Sequence, residues 1–433
     1  NTPIVNDFVA RRKLRKSFYH MAEASYLIIG GGPAGLTMAR MLKDRGVEDV
    51  TILEASFKVG GKCLTSGIGD HVVEFGTCYA IWSHRYVLKH MKKLGIRRNY
   101  LKAQRIDDRE LLDYIRDGAG PPFAVQAIKY AWMRWRLMRR AANGDPGVNE
   151  TLAQPTATWL KANNLGKIER MMHRVVTSIG YGYLDRTPLV HAMRWVDIDM
   201  LITGAIKFTV MPEGGWQYFW DRFADNLTVH LNRNVASITR RDDGVTVETD
   251  DGTKYQADYL INTIPMDEFG QLTDATPNEA RVATAVNWAG YTTTLVSVEA
   301  WAHTAPVNAW SDTCADDGKD GQLLFSRYEC EDEGGRSFFS VGQSSAAYGA
   351  EELKELAVFS AKQKGAVDPY VVQQIIWKYM PTYAPDQIRE GLLQTMITMQ
   401  GEKRTFHTGS SFSHEAVSTI STFNARLLAS AMT

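Results

Sequence analysis

The feature that most constrains the fold of this chain is the stretch from residue 26 to residue 54. It begins with the apolar run Tyr-Leu-Ile-Ile, continues through the glycine turn Gly-Gly-Gly-Pro-Ala-Gly at 30–35, and enters an amphipathic segment that Gly46 ends. A second apolar run, Val-Thr-Ile-Leu, follows at 50–53. A GxGxxG turn that follows a strand and opens a helix indicates dinucleotide binding. The stretch therefore predicts a βαβ unit with a dinucleotide at its glycine turn.

Each glycine of the turn has its own task in such a unit. Gly30 permits the tight turn, Gly32 lets the backbone approach a pyrophosphate, and Gly35 lets helix and strand pack closely. The helix N-terminus then attracts the phosphates. Glu54 ends the second strand, at the spacing where a carboxylate accepts hydrogen bonds from a ribose diol. The predicted cofactor-binding residues of this unit are Gly30, Gly32, Pro33, Ala34, Gly35, Glu54 and Ala55.

The βαβ unit alone is compatible with either NAD or FAD, and two further glycine motifs favour FAD. Gly60 and Gly61 with Lys62 follow directly after Glu54, and another glycine turn lies at Gly409, near the end of the chain. A dinucleotide site that is closed by C-terminal sequence implies a cofactor threaded deep into the fold. We therefore predict FAD.

Bulk composition excludes several classes of function. Lys+Arg and Asp+Glu both number 49, so no global charge attracts nucleic acid. No apolar run reaches the roughly 18 residues of a membrane-spanning helix. The four cysteines lack CxxC spacing, so we expect no metal site and a reducing, cytoplasmic location. At 433 residues, two or more domains are expected.

The pattern along the chain predicts the order of its segments. Residues 83–165 favour helices, with a break at the Gly-Asp-Pro-Gly cluster at 144–147, and residues 228–265 alternate like strands. Helices are predicted at 351–364 and 368–376, and the last thirty residues predict a strand, a glycine turn and a helix ending near Met432. The predicted segments are a basic N-terminal arm (1–25), cofactor-domain parts (26–82, 225–290 and 395–433), a helical insert or lid with part of the substrate domain (83–224), and the remaining substrate domain (291–394).

In their order, these motifs resemble the flavin amine oxidase superfamily. The resemblance covers nearly the whole chain: GGGPAG, LEAS with VGGK at 53–62, VVEFG at 72–76, the strand at Val235 before NTIP, and the terminal glycine turn and helix. It implies an α/β fold with a discontinuous, Rossmann-type FAD-binding domain, a helical insert and a mixed α+β substrate domain. It also implies cofactor contacts by Gly61, Lys62, Val235, Gly409 and Ser410. Lys62 stands where an arginine is commoner, and Ser410 stands where an acid usually follows the glycine.

Within the superfamily, the chain is most similar to the double-bond isomerases of polyunsaturated fatty acids. The shared pieces are VGGKC at 59–63, GYG at 180–182, MRWVD at 193–197, and MQG with TF before Gly409. This resemblance implies that Arg105 binds a substrate carboxylate, for which a guanidinium is suited; a solvated residue in a charged run is the alternative. Ile179 and Gly204 stand where two tunnel phenylalanines are expected, which predicts a different or bulkier substrate.

Trp377 and Tyr379 are also shared with those isomerases and have two interpretations. They could form aromatic walls beside the flavin, as amine oxidases use to seat an amine, or they could be core packing.

The leading functional hypothesis is FAD-mediated hydride transfer on an apolar, unsaturated carboxylate such as a fatty acid, with isomerisation before desaturation. The alternatives are amine oxidation and a non-catalytic flavin-binding scaffold. The partner is a small apolar substrate. Residues 124–140 predict a basic amphipathic helix with Val125, Ile128, Trp132, Trp135 and Met138 along one side. It is either a lid packed on its own domain or a peripheral membrane contact.

Overall fold

The computed structural model describes residues 23–101, 104–206, 208–315, 319–430 and 432. Residues 1–22 of the predicted basic arm lie outside the described residues. Within these ranges, no helix combines the length and the apolarity that crossing a bilayer requires.

The strands are short and are spread over the whole described chain. They are β1 Tyr26–Ile29, β2 Val50–Leu53, β3 Thr65–Ile68, β4 His71–Glu74, β5 Ala80–Ile81, β6 Arg98–Tyr100, β7 Gln104–Ile106, β8 Arg109–Glu110, β9 Thr209–Pro212, β10 Thr228–His230, β11 Val235–Arg241, β12 Gly244–Thr249, β13 Lys254–Ala257, β14 Tyr259–Asn262, β15 Asn287–Trp288, β16 Tyr291–Val298, β17 Val307–Ala309, β18 Phe325–Glu331, β19 Ser337–Ser344, β20 Tyr370–Trp377, β21 Pro381–Thr382 and β22 Thr405–His407.

The helices cluster between residues 111 and 224 and recur towards the C-terminus. They are α1 Pro33–Lys43, α2 Arg85–Lys93, α3 Leu111–Arg116, α4 Phe123–Ala142, α5 Asn149–Ala153, α6 Thr156–Ala162, α7 Gly166–Met172, α8 Leu189–Trp195, α9 Ile198–Ile206, α10 Gly215–Ala224, α11 Met266–Leu272, α12 Pro277–Ala285, α13 Ser311–Cys314, α14 Ala350–Gln363, α15 Pro385–Arg389, α16 Leu392–Thr398 and α17 Val417–Ser430. A π-helical turn, His173–Thr177, continues α7.

The chain divides into two compact units. The described residues of the first unit fall within Asn1–Gly61, Trp220–Thr284 and Thr395–Thr433, and those of the second within Lys62–Phe219 and Ala285–Gln394. The segments predicted from the sequence end at residues 82, 224, 290 and 394.

The first unit is built on a parallel sheet in the order β10-β2-β1-β14-β22. All four residues of β1 are buried, as expected for a central parallel strand whose two faces are both covered. Helices α1 and α17 pack together, and Asn424 of α17 donates hydrogen bonds to the Ala34 carbonyl and the Thr37 hydroxyl, both at 2.9 Å. The predicted first strand, helix and second strand, and the terminal strand, turn and helix, are confirmed.

The second unit contains a seven-stranded mixed sheet in the order β20-β16-β19-β18-β17-β7-β8. Its strand β16 is buried along all eight residues. Two predictions about this unit were wrong. Residues 368–376 do not form a helix, because the β-branched and aromatic run of β20 pairs along β16 instead. Residues 98–100, 104–106 and 109–110, predicted to be helical, form the short strands β6, β7 and β8, which pair with neighbouring strands.

Candidate functional site

The glycine turn of the first unit has the geometry of a phosphate-binding loop. Gly30 has a φ of +103°, which a residue with a side chain rarely adopts. A Cβ on Gly35 would lie 2.0 Å from the Gly30 carbonyl oxygen, so only glycine lets α1 start this close to β1. A Cβ on Gly32 would lie 3.7 Å from the Cα of Gly61. The two glycine motifs therefore face each other, and the Gly60 N–H donates to the Gly31 carbonyl at 2.9 Å.

The N-terminus of α1 is free to receive an anion. Gly32 is its N-cap and provides no side-chain hydrogen bond, and the first turn carries no acidic residue. Uncapped N–H groups and the helix dipole favour a phosphate here. This arrangement fits the pyrophosphate of FAD, and the predicted residues Pro33 and Ala34 form the first turn.

Glu54 is held beside the glycine turn by backbone donors. Its Oε2 accepts from the Gly31 N–H at 2.6 Å, and its Oε1 accepts from the Ser56 N–H at 2.8 Å. The carboxylate is half-buried, and the adjacent Ala55 is exposed. Each oxygen keeps acceptor capacity for the ribose hydroxyls predicted from its spacing.

The remaining predicted cofactor residues of the first unit adjoin this turn. The Arg233 N–H donates to the Glu54 carbonyl at 2.9 Å. This bond holds the start of β11, where the half-buried Val235 lies, next to Glu54. Gly409 has a φ of +93°, and a Cβ there would lie 2.9 Å from the Thr263 carbonyl oxygen and 3.9 Å from Ala34 Cβ. Ser410 follows and is half-buried. The first unit thus gathers these residues around one helix terminus.

Lys62 belongs to the second unit and has its own partners there. Its Nζ donates to the Lys378 carbonyl at 2.5 Å, and lies 4.7 Å from the ring centroid of Tyr379 and 5.1 Å from that of Trp288. This is an aromatic, cation–π setting. Its contact with the cofactor stays a prediction.

Trp377 and Tyr379 are stacked in the second unit, with centroids 5.2 Å apart and ring planes 11° apart. The Trp377 indole N–H donates to the Phe75 carbonyl at 2.8 Å, and the Tyr379 hydroxyl donates to the Lys62 carbonyl at 2.9 Å. Trp377 also packs on a cluster of buried apolar residues. These contacts favour the packing interpretation for Trp377, while Tyr379 presents its ring to the Lys62 ammonium.

A largely apolar cavity lies within the second unit and has about 860 Å³ of empty space including its mouth. The apolar and aromatic side chains of its lining are Tyr79, Ile81, Leu101, Leu111, Leu112, Ile115, Phe123, Met171, Val175, Ile179, Trp195 and Met200. Its polar lining residues are Gln104, Glu110, Arg174, Thr203 and Thr209.

Arg174, which belongs to none of the sequence motifs above, is the buried cation of this cavity. The residue is 2% exposed. Its Nη1 donates to the Ser178 hydroxyl at 2.8 Å and its Nη2 to the Tyr79 hydroxyl at 3.0 Å, whereas its Nε finds no partner among the described residues. The hydrogen-bond partners of this buried guanidinium are hydroxyls, which do not neutralise its charge. The site therefore favours binding of an anion.

The predicted substrate residues lie in different places. Ile179 lines the cavity. Gly204 lies in α9, the helix that contributes Met200 and Thr203 to the lining. Arg105 is exposed on β7, where strand alternation turns it away from the face of its neighbour Gln104, a lining residue. The structure therefore does not bring Arg105 to this cavity, and the solvated alternative describes it better.

Comparison with known proteins gives one family. A sequence profile of the flavin-containing amine oxidoreductases matches residues 33–343. The chain is similar to lysine-specific histone demethylase 2 of Homo sapiens, with 25% identity over 280 residues, 61% of this chain and 32% of the relative. It is also similar to polyamine oxidase 4 of Oryza sativa subsp. japonica, with 26% identity over 257 residues, 56% of this chain and 51% of the relative. The matches thus span about a third to a half of the length of these relatives.

Two solved structures share the fold over nearly the full chain. The crystal structure of a CLA-producing fatty acid isomerase from P. acnes has a TM-score of 0.81 at 21% identity, covering 94% of this chain and 98% of that one. Putrescine oxidase bound to putrescine has a TM-score of 0.69 at 15% identity, with the same coverage. At these identities the likeness shows the fold alone, and it confirms the predicted fold class.

Proposed function

The chain belongs to the flavin-containing amine oxidoreductase family, its cofactor is FAD, and on that premise we propose that it moves a double bond within an apolar, unsaturated carboxylate such as a fatty acid. FAD, when bound, supplies a hydride acceptor. In isomerisation the hydride taken from one carbon returns to another carbon of the same substrate, so the reaction needs no external oxidant. Desaturation, in which the two electrons leave to an external acceptor, is the second form of this proposal.

The observation that carries the proposal is the buried guanidinium of Arg174 in a largely apolar cavity. A carboxylate can accept from the unpartnered Nε–H and from the remaining Nη hydrogens, and such charge-assisted bonds are the strong ones. The apolar side chains around it suit the hydrocarbon part of the ligand. An amphipathic acid therefore satisfies both the charge and the surface of this cavity.

The same cavity is less suited to an amine. A protonated amine would meet the buried positive charge of Arg174, and like charges are strongly disfavoured where water is excluded. Glu110 is an acidic lining residue and is half-buried. For a protonated amine, repulsion by the buried Arg174 outweighs attraction by the half-buried Glu110, because charge interactions strengthen as the environment becomes less polar.

The test is to incubate the FAD-loaded protein with matched panels of unsaturated acids and amines in air and to follow oxygen uptake and product mass. Isomerisation predicts that an acid is converted to a product of unchanged mass with a shifted double bond and without oxygen uptake. A product about two mass units lighter would select desaturation. Hydrogen peroxide formed with an amine, and no conversion of any acid, would overturn the proposal in favour of amine oxidation.

Glu110→Gln is compared with Arg174→Gln to separate the roles of the two charged lining residues. We expect Glu110→Gln to leave conversion of the acid substantially unchanged and Arg174→Gln to weaken it. If Glu110→Gln instead abolished turnover of an amine, the amine oxidase alternative would be supported.

A further inference from the structure

Helix α4 carries an apolar stripe on its exposed face. Val125, Ile128, Trp132 and Trp135 are 53%, 73%, 57% and 56% exposed. Their spacings of three, four and three residues place them on one side of the helix. The sequence left open whether this stripe packs on its own domain, and the structure leaves these four side chains on the surface. Met138, the fifth predicted member, is half-buried.

The stripe is not needed to hold the helix in place, because the opposite face does so. Gln126 and Tyr130 are buried. The Gln126 side-chain amide donates to the carbonyls of Ala119 and Pro121 at 2.8 and 2.9 Å, and the Tyr130 hydroxyl donates to the Val196 carbonyl at 2.9 Å. A helix anchored on one face and apolar on the other offers that second face to a partner.

The charges on the exposed face have one sign. Residues 121–144 contain no Asp or Glu. The guanidinium of Arg136 lies 5.7 Å from the ring centroid of Trp132, and the guanidinium of Arg139 lies 5.4 Å from the ring centroid of Trp135. Both arginines are exposed, as is Lys129. Tryptophans accompanied by basic groups are typical of helices that lie in the interface of a lipid bilayer.

The helix that carries the stripe also contributes to the lining of the apolar cavity. Phe123, the first residue of α4, lines that cavity. Helix α9 contributes Met200 and Thr203 to the lining and exposes Ile198 and Ile202, which are 57% and 38% exposed. Two helices that line the cavity therefore also carry apolar side chains on the surface.

We infer that α4 docks on an anionic lipid surface, with Trp132 and Trp135 inserted at the headgroup level and Arg136 and Arg139 facing the lipid phosphates. A narrow apolar stripe bordered by cations matches the layered chemistry of a bilayer surface, which is apolar below and anionic above. Because α4 and α9 also contribute to the cavity lining, docking of this surface would bring the cavity close to a lipophilic ligand in the bilayer. The inference concerns binding to lipid and stands whether or not the proposed reaction is the one catalysed.

The test is co-sedimentation of the FAD-loaded protein with vesicles of pure phosphatidylcholine and with vesicles that also contain phosphatidylglycerol. We expect binding to the mixed vesicles that weakens with added salt. Replacing both arginines with glutamate should lower the partition constant by about 25-fold or more, since each lost basic residue contributes about fivefold. Trp132→Ser with Trp135→Ser should lower it by about tenfold or more.

Phe359→Ser provides the matched control, because Phe359 is 51% exposed but lies on α14 and outside the stripe. This variant should bind vesicles like the parent protein. Equal sedimentation with and without anionic lipid would overturn the inference. So would a stripe variant that binds vesicles normally but has lost self-association in sedimentation velocity, since the stripe would then be a contact between copies of the chain.

Discussion

Nη2 of Arg174 lies 3.0 Å from the hydroxyl oxygen of Tyr79, and both side chains line the cavity of the second unit. Because the guanidinium donates to this oxygen, the hydroxyl hydrogen is available to another acceptor. In the proposed function, this hydroxyl and the unpartnered Nε–H of Arg174 are the two donors offered to the substrate carboxylate.

Arg174→Gln should weaken binding of an unsaturated fatty acid about 10- to 150-fold, since a hydrogen bond to a charged group contributes about 1.5–3 kcal/mol. The methyl ester of the same acid should bind the variant and the parent protein alike, because it carries no charge for Arg174 to meet. Dissociation constants from flavin absorbance titrations give both numbers.

Arg105→Gln is the control for that measurement, because Arg105 is exposed on β7 and does not line the cavity. It should leave affinities for acid and ester unchanged. If Arg105→Gln weakened acid binding while Arg174→Gln did not, the carboxylate site would lie elsewhere. Arg174→Lys, which keeps the charge but loses the planar fork, should fall between the parent and Arg174→Gln.

Glu54→Gln should weaken FAD binding about tenfold or more. The parent carboxylate accepts from Gly31 and Ser56 N–H groups, whereas the glutamine amide nitrogen would meet one of these donors with a donor of its own. The measurement is the FAD dissociation constant of the apoprotein. Glu48→Gln, an exposed acid of the same unit, should have no effect. An unchanged FAD affinity in Glu54→Gln would contradict the role given to Glu54.

Arg240 and Glu279 form a fully buried ion pair in the first unit, with Nη1–Oε1 at 2.5 Å and Nη2–Oε2 at 2.9 Å. Burial opposes ionisation, but hydrogen bonds from His407 and Arg240 lower the pKa of Glu279 to about 2. Arg240→Met should cost about 3–5 kcal/mol of unfolding free energy at neutral pH, because it leaves a buried carboxylate without its cation. Unfolding in urea measures this loss of free energy.

The double variant Arg240→Met with Glu279→Met should recover much of that loss, because no uncompensated charge remains. The stabilisation from Glu279 is present above its ordinary pKa of 4.5 and is lost as pH falls towards 2. Consequently, the deficit of Arg240→Met should shrink in acid. A deficit that stays constant from neutral pH to pH 3 would show that the ion pair is not its cause.

Glu74 should give the opposite pH dependence in the second unit. Burial raises the pKa of this carboxyl from 4.5 to about 7, although it accepts hydrogen bonds from the Trp216 N–H and the Thr65 hydroxyl. The folded state then holds the proton more tightly than the unfolded chain, so this contribution is full below pH 4.5 and is lost as pH rises to about 7. Between pH 5 and pH 8, the melting temperature of Glu74→Gln should therefore decrease less than that of the parent protein. Parallel profiles of variant and parent would refute the assignment.

The cofactor-binding half of the fold follows closely from the sequence, because its motifs are local. The turn from Gly30 to Gly35 and the acid at Glu54 depend on backbone conformations that few residues allow, so residue type and spacing are informative. The helix predicted at 368–376 was wrong, because the β-branched and aromatic residues of this run suit a strand that pairs with β16.

The substrate side is harder to predict, because its residues meet only in three dimensions. The resemblance to the isomerases pointed to Arg105, but strand alternation on β7 turns it outward. Arg174 was missed, although it is the only charged side chain in the run 171–179, which otherwise reads as largely apolar. A lone cation in such a run is the signal that could have identified it, since its burial requires an anion or an equivalent partner.

The most direct test of the central claim is multiple turnover without oxygen. The FAD-loaded protein is incubated anaerobically with an excess of an unsaturated fatty acid and no electron acceptor, while double-bond position and flavin absorbance are followed. The account predicts many molecules of positional isomer per FAD, all of unchanged mass, with the oxidised flavin spectrum restored when substrate is exhausted. Conversion that stops at one molecule per FAD, with the flavin left reduced until oxygen is admitted, would contradict it.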